Sequence, residues 1–82
     1  MFLVYEQRES NNFPLPYKKA IKDFPTFEKA KEFLFAYSNT FVGGREVIDN
    51  GNGVKIHTVW EYGNGNADWE TITLTVGLWN EL

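Results

Sequence analysis

Residues Val54 to Trp79 constrain this chain most: two β-prone runs hinge at Gly63–Ala67, and only one parity of pairing buries their aliphatic side chains together. Side chains alternate between the faces of a strand, so a one-residue slip in pairing exchanges the faces. A two-residue Asn64-Gly65 turn would set even residues against odd ones, placing Ile72, Leu74 and Val76 beside Lys55, His57 and Glu61. A loop of three or five residues sets even against even. Val54, Ile56, Trp60, Ile72, Leu74, Val76 and Leu78 then share one face. Lys55, His57, Val59, Glu61, Trp69, Thr71, Thr73, Thr75 and Trp79 share the other. The longer loop is expected, because it gathers the aliphatics against an amphipathic helix.

That helix is predicted over Thr26 to about Thr40. Phe27, Ala30, Phe33, Leu34, Tyr37 and Phe41 recur at three- and four-residue spacing, which makes one apolar stripe. Thr26 can cap the helix with its hydroxyl, and Gly43-Gly44 ends it. Further strands are predicted at Phe2–Arg8 and Arg45–Asp49. Between Arg45–Asp49 and Val54, Asn50-Gly51-Asn52-Gly53 reads as a hairpin turn. Either Val47 or Ile48 is expected to face the core. Tyr17, Ala20, Ile21 and Phe24 follow helical spacing, so a short helix is preferred there over a strand. Together these elements give a single small α+β domain over residues 1–82, an antiparallel sheet of about four strands with one main helix packed on one face.

An 82-residue chain buries only about 60–65% of the surface it exposes when unfolded, so its core must be efficient. Seven Phe, four Tyr and three Trp supply large buried areas, and the absence of cysteine excludes disulfides and thiolate chemistry. The start Met1-Phe2-Leu3-Val4-Tyr5-Glu6 lacks the basic and apolar regions of a signal peptide, and no run approaches the ~20 apolar residues that cross a bilayer. A soluble, cytoplasmic protein is the expectation. Net charge is −3, unevenly spread. Residues 1–45 are slightly basic, whereas residues 46–82 carry six acidic side chains against Lys55. Such asymmetry biases partner choice rather than fold.

Catalytic apparatus is sparse. His57 is the one histidine and falls on the polar strand face; Ser10 and Ser38 lack a nucleophile context. Glu61 and Glu70 would lie on opposite faces and cannot flank one scissile bond. The Asp49–Gly53 and Asn64–Asp68 loops fail the ligand spacing of calcium sites, and no phosphate-binding glycine motif occurs. The chain is therefore expected to be non-enzymatic, without metal or cofactor.

The expected function is protein contact, as an inhibitor or adaptor, through Trp69, Trp79, Glu61, Asp68, Glu70 and Thr73. Tryptophan is enriched in binding hot spots. The acidic half suits a basic groove on a nucleic-acid enzyme. Small phage-encoded inhibitors of host nucleases, anti-CRISPR proteins among them, have this size and charge, and no sequence likeness enters that comparison. A homodimer formed through the aromatic face or a free strand edge belongs to the same class. The alternative is a single-stranded nucleic-acid binder using Tyr17, Lys18, Lys19 and Lys22, although Glu28 and Glu32 interrupt the cations that follow and direct binding is disfavoured. A third reading, a small enzyme or ligand carrier, requires a deep pocket near His57.

Overall fold

A computed structural model describes residues 1–12 and 17–78 of the chain. Five strands, β1 (Phe2–Ser10), β2 (Tyr17–Phe24), β3 (Gly44–Ile48), β4 (Gly53–Glu61) and β5 (Ala67–Leu78), form one antiparallel sheet. Their order is β2-β1-β5-β4-β3. One helix, α1 (Phe27–Ser38), packs on one face. The α+β class stands, with five strands where about four were expected.

The extra strand is β2, the segment whose spacing suggested a helix. It pairs antiparallel with β1 from Arg8↔Tyr17 to Phe2↔Phe24, and the register shifts between Val4 and Tyr5. Ile21 is the residue left over at this bulge. One inserted residue reverses the parity of everything beyond it. Tyr17 and Phe24, seven apart, therefore both reach the helix face opposite Arg8 and Phe2. A bulged strand thus reproduces the i, i+7 coincidence of a helix.

The β4–β5 hairpin has the even-to-even register. Val54 faces Leu74, Ile56 faces Ile72 and Trp60 faces Asp68. The Tyr62 N–H donates to the Asn66 carbonyl at 2.9 Å and closes a three-residue loop containing Gly65 at φ +85°. Val4, Val54, Ile56, Ile72, Leu74 and Val76 form a sheet layer against Ala30 and Leu34 of α1. Phe24, Phe33, Tyr37 and Phe41 extend the layer as a row of ring contacts with centroids 5.1–5.5 Å apart. Leu34 and Leu74 are wholly buried.

Both ends of α1 are satisfied. Thr26 Oγ1 accepts from the Lys29 N–H at 3.2 Å. At the other end the Arg45 guanidinium donates to Ser38 Oγ, Asn39 Oδ1 and the Phe41 carbonyl, and so anchors the helix end to β3. Gly43, at φ +144°, turns the chain into β3; a Cβ there would stand 2.7 Å from the His57 carbonyl. Neither Val47 nor Ile48 is buried. Val47 takes the helix face opposite Val54 but lies at the sheet edge in solvent, while Ile48 packs across Gly53 on the other face.

Length mismatch determines what remains uncovered. The twelve residues of α1 span ~18 Å, whereas the twelve of β5 span ~40 Å. The molecule measures 49 × 23 × 19 Å. β3 ends opposite His57, and β1 ends opposite Glu70. Residues 58–69 consequently leave the body as a two-stranded ribbon. No helix among the described residues is long and apolar enough to cross a membrane.

Candidate functional site

The ribbon concentrates exposed apolar surface. Val59, Trp60, Tyr62 and Trp69 are between 37% and 52% exposed, and all four lie within residues 59–69. The same residues carry Glu61 and Asp68 and no basic side chain. Alternation sends Trp60 and Asp68 to the helix face and Val59, Glu61 and Trp69 to the opposite, open face.

A two-stranded ribbon is marginal by itself in water, and side-chain bonds hold this one. Asn11, just past β1, donates through Nδ2 to the Ala67 carbonyl and to Asp68 Oδ1, both at 3.2 Å. Its Oδ1 accepts from the Trp69 N–H at 3.0 Å. The Tyr62 hydroxyl donates to Asp68 Oδ2 at 2.7 Å. That bond holds the Asp68 carboxyl below the usual carboxylate range, helped by Asn12 and Asn11. The same bond, with the Asp68 charge, raises the Tyr62 phenol. Asp68 therefore stays ionised at the tip across the physiological range.

On the open face the His57 ring stacks on Trp69 at 6.2 Å, and His57 Nδ1 lies 2.8 Å from Thr71 Oγ1. A hollow of about 490 Å³ beside His57 is bordered by Gly44, Glu46, Lys55 and Thr71 and opens to solvent. It is a trough on a sheet and not the deep pocket that a ligand carrier would need. Thr73 lies at the centre of this face, between Lys55 and Gln7.

On the helix face Glu70 is not a free anion. Its Oε1 lies 2.9 Å from Arg8 Nε, with the N–H directed off the line to the oxygen. Arg8 also reaches the carboxylate of Glu6, which is 2% exposed, at 3.4 Å, and the Tyr17 hydroxyl donates to Glu6 at 3.5 Å. Burial raises the Tyr17 phenol, opposed by Arg8 and reinforced by Glu6. Arg8 and Glu70 floor a cleft of about 320 Å³ between the helix end and the ribbon, walled by Phe41, Val42, Trp60 and Ile72.

The expected contact residues thus divide. Trp69, Glu61 and Thr73 share the open face, Asp68 and Glu70 lie on the other, and Trp79 lies outside the described residues. The strand reading divides the basic group too. Lys18 takes the open face, with Nζ 4.3 Å from the Tyr5 ring centre. Tyr17, Lys19 and Lys22 take the helix face, where Lys22 sits over Phe24 and Phe33. Four side chains divided between two faces do not line one groove. Sequence reasoning missed Trp60 and Tyr62, since it assigned Trp60 to the core face and gave Tyr62 no role. The strand-to-helix length ratio could have flagged them. Comparisons with protein-family models, curated proteins and solved structures find no match for this chain.

Proposed function

We propose that this chain is a non-enzymatic protein-binding module, an inhibitor or adaptor that engages its partner through the β4–β5 ribbon. The observation that carries this reading is the coincidence, in residues 59–69, of four exposed large apolar side chains with two acidic ones and no cation. Exposed aromatic groups of this kind anchor interfaces, and the acidic charge selects a basic partner surface and speeds encounter with it. A basic groove on a nucleic-acid enzyme fits that description. Inhibition of a host nuclease, in the manner of phage-encoded anti-CRISPR proteins, is the specific form proposed, by size and charge.

Affinity capture from the native host, with partners identified by mass spectrometry, tests the reading. Trp69→Ala and Glu61→Lys should each weaken recovery of the partner at least tenfold while leaving thermal stability near wild type. Undiminished recovery with both changes would overturn it. A nuclease-inhibitor role further requires that adding the protein suppress the captured enzyme's cleavage.

A further inference from the structure

The free edge of β4 carries an inference that rests on the protein-binding reading and specifies how the partner is held. Backbone bonds across an antiparallel pair alternate along each strand. Tyr62 N–H to Asn66 carbonyl and Val76 N–H to Asn52 carbonyl, both 2.9 Å, bracket the β4–β5 ladder. Even residues of β4 therefore bond to β5, and odd ones point to the other edge. There β3 takes Gly53, Lys55 and His57, and its first residue, Gly44, faces His57. The next outward-pointing groups belong to Val59 and Glu61. Gly43 bends the incoming chain away at this point, and Thr58 Oγ1 secures the bend by donating to the Val42 carbonyl at 2.6 Å. Among the described residues no group takes the N–H or carbonyl of Val59 or Glu61.

The outer edge of β2 is guarded differently. β2 carries Lys18, Lys19 and Lys22, all exposed and divided between its two faces, and lysine is a common deterrent to strand addition. Residues 59–61 carry neither lysine nor proline. Their side chains also specify what could lie beside them. On the helix face a visiting residue would meet Trp60 and the exposed Val42; on the open face it would meet Val59 and Glu61.

We infer that residues 59–61 of β4 accept an extended segment of a partner protein as an added strand, collinear with β3. The segment alternates an apolar side chain, set against Trp60 and Val42, with a lysine or arginine set against Glu61. Main-chain bonds supply affinity in this mode, and alternate side chains supply specificity.

The probe is an acetylated, amidated five-residue peptide of alternating lysine and valine, titrated into the isotope-labelled full chain. Binding should shift the amide resonances of Val59 and Glu61 and slow their hydrogen exchange at least tenfold. A glutamate–valine peptide should do neither. Val59→Pro removes one outward N–H without touching the bonds to β5 and should abolish the effect. The inference is overturned if those amides are already protected in the free protein, if shifts centre on His57 and Trp69, or if the free protein self-pairs through this edge. A captured partner that tolerates Val59→Pro but not Trp69→Ala would refute the added strand and leave the contact function intact.

Discussion

Asn11→Ala should loosen the ribbon without unfolding the body. Its side chain makes two bonds to ribbon backbone, to the Ala67 carbonyl and from the Trp69 N–H. A hydrogen bond contributes about 0.5–1.5 kcal/mol net. Both are exposed, so values near the low end apply and the pair sums to about 1–2 kcal/mol. That is a factor of roughly 5–30 in a local opening equilibrium. The Trp69 and Tyr62 amides should exchange faster by this factor. The Leu74 amide, inside the core, should report only global unfolding and change far less. Amide exchange followed residue by residue reads both at once. Unchanged protection at Trp69, or equal acceleration at Leu74 and Trp69, would refute the view that the ribbon is a separately held unit.

Leu34→Ala should have the opposite signature, a global loss of about 2–5 kcal/mol, because the side chain is wholly buried and the cavity cannot fully collapse. Denaturant unfolding would measure it, and a loss under about 1 kcal/mol would contradict the packing described. Gly43→Ala should lower the melting temperature, since its Cβ would press on the His57 carbonyl at φ +144°; an unchanged melting temperature would refute that close approach. Asp68 has a folded pKa below its unfolded value, so its contribution is present above pH ~4 and is lost as pH falls through the folded value. Asp68→Asn should flatten that acid limb of stability. Tyr62 has a raised pKa, so its contribution is present below pH ~10 and is lost as pH rises through the folded value; phenolate absorbance should show Tyr62 and Tyr17 titrating late, and Asp68→Asn should bring Tyr62 back down while leaving Tyr17 raised.

How far the fold was legible depended on periodicity. The β4–β5 register could be read because one parity alone keeps Ile72, Leu74 and Val76 away from Lys55 and Glu61. The start of α1 was equally legible, since a Thr26 cap precedes an unbroken stripe. The segment 17–24 was not, because the bulge at Ile21 gives a strand the spacing of a helix. The contact site was legible in part. Trp69 and Glu61 followed from face parity, whereas Glu70 looked free and is held by Arg8 sixty-two positions away. Trp60 looked like core, because parity says which way a side chain points but not whether anything reaches it.

Alternation of side chains is a local property, and the sequence alone therefore determined which faces of β4 and β5 are greasy, where α1 begins, and that the loop joining the hairpin has an odd number of residues. Tertiary structure decided the strand order, the pairing of β2 with β1, and the reach of α1 over a sheet more than twice its length. Those outcomes depend on where separate elements stop relative to one another, a relation between distant residues that no local spacing encodes. The exposed ribbon, and with it the candidate site, is the product of that relation.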